Sequence, residues 1–280
     1  MRGFDHDLRQ FCLYTRNTHI EYIKEEDITF YFNSMLSLGW KSSGIMPKSI
    51  ALRNLFKYAT KSGLRVMSHE LIPIPKREYF IPRVAKDEEI VNLLELSKGK
   101  TLQPVRNRCI INFLRSTGCR NGEMCAINLS QLMEHFNEKR VVIRTAKTRG
   151  MKPIRELFWD EPTHKALTEW LDIRNVLSDR ITFTDPDALF VGVRNWQTGK
   201  RLTNHAVSII FRKLSKKAGI PTMNPHSLRH YRGHELNNFG ANNSTISGVL
   251  GHSSLASSFV YTQMKSDELQ TAAKKYRKVA

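Results

Sequence analysis

Leu71-Ile72-Pro73-Ile74-Pro75-Lys76-Arg77-Glu78-Tyr79-Phe80-Ile81-Pro82-Arg83 divides this chain of 280 residues. Three prolines in that run block regular helix and favour an extended connection. Residues 1–72 therefore read as one domain, 73–84 as a linker and 85–280 as a second domain. On the N-terminal side, apolar residues recur at helical spacing. Leu8, Phe11 and Cys12 begin one stripe. Ile28, Tyr31, Phe32, Met35 and Leu36 form a second, opening after Asp27, a residue type that caps helices. Ile50, Leu52, Leu55, Phe56 and Ala59 form a third, which Gly63 ends.

On the C-terminal side, residues 87–96 and 103–117 read as helices. Residues 140–145 read as a strand and 153–158 as its partner, with 147–151 as the turn. Residues 163–176 read as an amphipathic helix and 188–193 as a short strand, and from Asn204 onward helix follows helix. The pattern predicts a mainly α protein with a small antiparallel β-sheet in its second domain.

Apolar residues at 40% and charged residues at 25% exclude a wholly disordered chain. Lys and Arg number 44 against 26 Asp and Glu, a formal charge of +18. That balance argues for a polyanionic partner, most simply nucleic acid. Residues 1–84 carry 13 Lys/Arg against 8 Asp/Glu, so both halves are basic. An anionic membrane surface is the rival partner, but no polybasic block sits beside an amphipathic anchor. No window approaches the ~18 apolar residues of a membrane span. Acidic Asp5 and Asp7 fall where a signal peptide would be apolar, so a cytoplasmic protein is expected. Cys12, Cys109, Cys119 and Cys125 form no CxxC pair and no zinc-ligand spacing, which predicts reduced, mostly buried thiols and no metal.

Titratable residues concentrate in four places. Ser116-Thr117-Gly118-Cys119-Arg120-Asn121-Gly122-Glu123 sets Arg120 and Glu123 three apart. Lys147 stands where the first strand meets the turn. Pro225-His226-Ser227-Leu228-Arg229-His230 puts His226 and Arg229 on one face at a helix start. Leu250-Gly251-His252 and Val260-Tyr261-Thr262 follow. Guanidinium forks match the non-bridging oxygens of a phosphodiester under attack. A tyrosine can attack as nucleophile, and a lysine or histidine can protonate the leaving oxygen. There is no acidic cluster of the two-metal type. Each residue alone is weak evidence, since a lone arginine is usually a surface charge.

In order and spacing together, these strings resemble the tyrosine recombinases, the family of phage integrases and Xer-type recombinases. The resemblance covers nearly the whole chain. It implies an N-terminal helical, SAM-like core-binding domain that clamps DNA, and a C-terminal α+β catalytic domain. It implies that Arg120 and Arg229 clamp the scissile phosphate. Tyr261 would attack, leaving a 3′-phosphotyrosyl link, and Lys147 would protonate the leaving 5′-oxygen. His226 would assist proton transfer, His252 would hydrogen-bond a phosphate oxygen, and Glu123 would orient Arg120. No cofactor, metal or ATP is implied. Tyr231 and Tyr276 are rival nucleophiles on position alone, but spacing after Gly251-His252 favours Tyr261.

DNA-contact expectations are broader. Lys41, Lys48, Ser49, Arg53 and Lys57 cluster around the third N-terminal helix. Thr148, Arg149 and Lys152 lie in the hairpin, and Lys200, Arg201 and Asn204 open a later helix. The expected partner is double-stranded DNA with an inverted-repeat core site. The expected assembly is a homotetramer, or paired heterotetramer, on two sites, with helix 267–280 exchanged between protomers. The rival classes are a type IB topoisomerase-like enzyme, which usually has lysine at the position of His226, and a non-cleaving DNA-binding protein of the same fold.

Overall fold

The structure is a computed structural model and describes residues 2–76, 83–144, 154–194 and 198–251. The chain separates into two units, Met1–Phe80 and Ile81–Ala280.

The first unit holds α1 (Arg2–Tyr14), α2 (Glu25–Ser37) and α3 (Ser42–Lys61), with single 3-10 turns at Ile20–Tyr22 and His69–Leu71. α2 begins two residues before Asp27, which corrects the expected cap. Asp27 sits in the first turn and accepts the backbone N–H of Lys24 at 2.8 Å. Its charge also favours the positive end of the helix dipole. α3 is longer than its apolar stripe, starting at Ser42 and running through Pro47. Phe11, Ile28, Phe32, Ile45, Leu52, Phe56 and Ile72 form the core. Each such side chain contributes roughly 1.5–3 kcal/mol by leaving water.

The second unit runs α4 (Asp87–Glu95), α5 (Leu102–Thr117), α6 (Asn121–Ala126), α7 (Leu129–Glu134), β1 (Arg140–Arg144), β2 (Ile154–Phe158), α8 (Glu161–Ser178), α9 (Asn204–Lys217), α10 (Pro225–Asn238) and α11 (Asn243–Leu250). Among the described residues the fold is mainly α with one two-stranded antiparallel sheet, as the sequence predicts. α5 is the hub. Ile110, Ile111, Phe113 and Leu114 are fully buried, and α4, α8, α10 and β2 pack around it. Asp160 caps α8 by accepting the Thr163 N–H at 3.1 Å, with a proline in the first turn. The strand expected over 188–193 is reduced to isolated bridges, Asn128 with Ala188, Val191 with Arg201 and Gly192 with Thr198. Buried Trp170 and Arg174 of α8 take the carbonyls of Leu189 and Ala188 in that segment. Cys109, Cys119 and Cys125 are buried free thiols, and Cys12 is exposed. Burial pushes the Cys119 thiol up to about 11. Among the described residues no helix is long and apolar enough to cross a membrane.

Candidate active site

Three chain reversals converge where α5 ends. The first is Gly118, which caps α5 in the left-handed region at φ 59°. A Cβ there would come within 2.6 Å of Leu250 and 3.0 Å of Arg232, so both conformation and space require glycine. The turn delivers Arg120 to the N-cap of α6. Glu123, one turn on, accepts the Arg120 backbone N–H and its Nη1, both at 2.8 Å. Arg120 Nη2 donates to Gly251 O at 2.7 Å.

The second reversal starts α10. Asn224 caps it, accepting the Ser227 N–H at 3.0 Å, with Pro225 at the first helical position. This start points the Arg229 side chain inward, 2% exposed, where Nη1 donates to Gly118 O at 2.9 Å. Arg120 and Arg229 are thus tied to the same turn from two directions. His226 lies exposed on α10, its ring 4.6 Å from that of His230 and nearly perpendicular. Burial pushes His230 down to about 4, helped by the charges of His226, Arg229 and His234. His234 is lowered by burial as well.

The third reversal is Gly251, at φ 65°, which closes α11. Arg155 of β2 reaches it from below, a residue the sequence reading does not single out. Its Nη2 donates to Glu123 Oε2 and its Nη1 to Val249 O, each at 3.2 Å. Burial lowers the Arg155 pKa, and Glu123 works against that shift. The only sequence signal was an arginine inside a strand between Ile154 and Leu157.

The remaining expectations divide. Lys147, Thr148, Arg149, Lys152, His252, Tyr261 and helix 267–280 lie outside the described residues, as does Tyr276. Tyr231 donates its hydroxyl to Asp87 at 2.5 Å, and burial raises its pKa, which makes it a poor nucleophile. Lys41 and Lys57 are exposed around α3. Lys48 and Ser49 are not surface contacts, which corrects that expectation. Lys48 is 4% exposed, paired with Asp7 at 2.8 Å and hydrogen-bonded to Gln10. Ser49 is fully buried and donates to Pro73 O at 2.5 Å. Arg53 spends its guanidinium on Ile72 O and Glu70 O. Arg201 is likewise a structural clip, bound to Asp185, to the carbonyls of Cys125 and Ile127 and to Asn128. Lys200 and Asn204 are exposed, and Asn204 opens α9.

The site offers two inward-directed guanidiniums, a buried carboxylate and a histidine at a helix start, a set suited to binding and polarising a phosphate. Comparison with known proteins agrees. Residues 83–268 match the model of the phage integrase family. The tyrosine recombinase XerC of Corynebacterium glutamicum is 29% identical over 230 residues, spanning 81% of this chain and 70% of that protein. The crystal structure of XerA recombinase overlays with a TM-score of 0.56 at 26% identity, covering 99% of this chain and 91% of that one. XerH site-specific recombinase, bound to palindromic difH substrate in a post-cleavage complex, overlays at 0.72 with 21% identity, covering 98% and 78%.

Proposed function

We infer the course of the reaction from one premise: this chain belongs to the phage integrase family and is a tyrosine-type, site-specific recombinase that breaks and rejoins DNA. Arg120 and Arg229 hold the scissile phosphate and take up the charge that grows on its non-bridging oxygens. Tyr261 Oη attacks phosphorus. A P–O bond to the tyrosine forms as the bond to the 5′-oxygen breaks, and Lys147 donates the proton that oxygen needs. His226 receives the tyrosine proton, and His252 hydrogen-bonds the phosphate. Attack by another strand's 5′-hydroxyl reverses these steps on a new partner, so the tyrosyl ester preserves the bond energy and no ATP enters. Two such exchanges pass through a Holliday junction and integrate, excise or resolve DNA.

The observation that carries this reading is the joining of Arg120 and Arg229 at the Gly118 turn, with Glu123 holding Arg120. Residues 1–72 serve as a DNA clamp, with 73–84 as the tether. Lys41 and Lys57 contact phosphates there, and Lys200, Asn204 and the hairpin residues Thr148, Arg149 and Lys152 do so in the second unit. The working assembly is a tetramer on two inverted-repeat core sites in the cytoplasm, linked by the exchanged helix 267–280.

Covalent capture tests the reading. Wild type and Tyr261→Phe are incubated with fragmented DNA of the source organism in the presence of a metal chelator, and trapped fragments are sequenced. Capture at one short inverted repeat, lost in the variant, is the expected result. Capture spread over many sequences would indicate relaxation of DNA without site choice. Binding without capture would indicate a non-cleaving protein.

A further inference from the structure

Strand β2 is built against the ordinary preference of its side chains. Ile154 and Phe158 face outward, 64% and 59% exposed, while Arg155 and Leu157 take the inward positions. Register fixes this, because Arg155 lies opposite buried Ile143 and Leu157 opposite buried Val141. Two apolar residues in water and an arginine beneath the sheet both cost free energy. The inward arginine therefore needs compensation.

Its partners supply it. Arg155 is only 10% exposed at the side chain, and Glu123 only 7%. Glu123 already holds Arg120 by side chain and backbone. One buried carboxylate thus serves two guanidiniums, and the trio keeps one positive charge. Without Arg155, Glu123 would cancel the charge of Arg120. The second contact is mechanical. Arg155 holds Val249 O, and Arg120 holds Gly251 O. A Cβ on Gly251 would fall 2.1 Å from Arg155 Nη1, so the guanidinium fills the space a side chain would need.

We propose that Arg155 is a positioning residue of the strand-cleaving centre: it neutralises Glu123 so that Arg120 keeps its charge for the scissile phosphate, and it clamps the turn that ends at Gly251, directly before His252 in the chain. This rests on the recombinase reading and adds to it a residue that acts through Glu123 and Arg120.

The test is single-turnover cleavage, by the full chain, of the site recovered by covalent capture, with Arg155→Leu compared with wild type. Leucine suits the inward face of the sheet, and Glu123 keeps Arg120, so folding and DNA affinity stay near wild type. Cleavage slows roughly 10- to 100-fold. The decisive substrate carries an uncharged methylphosphonate at the scissile position. There the demand for positive charge falls, and the deficit of Arg155→Leu shrinks to about threefold or less. Should leucine disturb folding, Arg155→Met, a linear chain of similar reach, takes its place. Cleavage at the wild-type rate on ordinary DNA would overturn the inference. So would an equal deficit on both backbones, since a merely structural residue is blind to phosphate charge. Wild type forming no covalent product would instead bring down the recombinase reading, and this inference with it.

Discussion

Lys48 in the first unit and Arg155 in the second are both sequestered cations beside a carboxylate, yet their charge balance differs. Lys48 pairs with Asp7, with Gln10 taking a further hydrogen bond and the Trp40 ring 5.2 Å from its ammonium. One cation meets one anion, and nothing is left over for a ligand. Around Glu123, Arg155 and Arg120 share one carboxylate, and Arg229 is held by a carbonyl of the same turn. At Glu123 two guanidiniums meet one anion, and a phosphate is the natural complement. A buried cation is therefore read by counting its counter-charges. Burial alone does not separate a structural cation from a functional one.

The sharpest break between the two regions comes from removing a cation in each. Arg229→Ala takes away a guanidinium held at the Gly118 turn. Covalent capture should slow by about 10²–10³, equivalent to about 3–4 kcal/mol of barrier, while DNA binding persists. Lys48→Ala should act on folding instead. It leaves Asp7 without its partner in a largely buried setting, which costs about 3 kcal/mol and shows as a lower denaturant midpoint for the first unit. If Lys48→Ala slowed cleavage at unchanged stability, the contrast would collapse.

A third, smaller effect belongs to the second unit alone. His230 is depressed to about 4, chiefly by burial and then by the charges of His226, Arg229 and His234. The unfolded chain, with an ordinary histidine value near 6.5, binds the proton more readily. Folded stability is thus fully present above about pH 6.5 and is lost as pH falls toward 4. The loss should be on the order of 2 kcal/mol, allowing for the partial exposure of the ring. His230→Asn should reduce that slope, with His234, also lowered by burial, supplying part of what remains. A slope unchanged by the substitution would place the proton uptake elsewhere.

Much of this was legible in sequence, and the failures have physical causes. The motif strings located Arg120, Glu123 and Arg229 because each sits within a few residues of the turn or cap that orients it. The apolar stripe that begins at Ile50 hides the burial of Lys48, just before it in α3. Carried back to Ser42, the stripe Ile45, Leu52 and Phe56 sets Lys48 on the same inward face. Arg201 gave no local hint, since Asp185 and the Cys125–Asn128 segment that hold it are 16 to 76 residues distant. Arg155 depended on strand register. Alternation in Ile154-Arg155-Glu156-Leu157-Phe158 points two apolar residues to one face and one to the other, and only pairing with β1 selects the face holding the arginine.

The smallest effect tests the same contrast within α3 itself. Lys57 is exposed on the helix that buries Lys48. A lysine facing a DNA phosphate releases about one counterion on binding, so Lys57→Ala should lower the slope of log affinity against log salt by about 0.9. At a fixed salt concentration its cost should be only about 1 kcal/mol or less, because a single exposed contact is well screened. Lys48→Met should leave that slope untouched, since its ammonium already has its anion inside the protein. Measured side by side over a salt series, the pair separates a cation turned toward the phosphate backbone from one consumed in folding. Equal slopes for Lys57→Ala and wild type would remove Lys57 from the DNA-facing surface, and the clamp would then have to draw its charge from Lys41 and its neighbours.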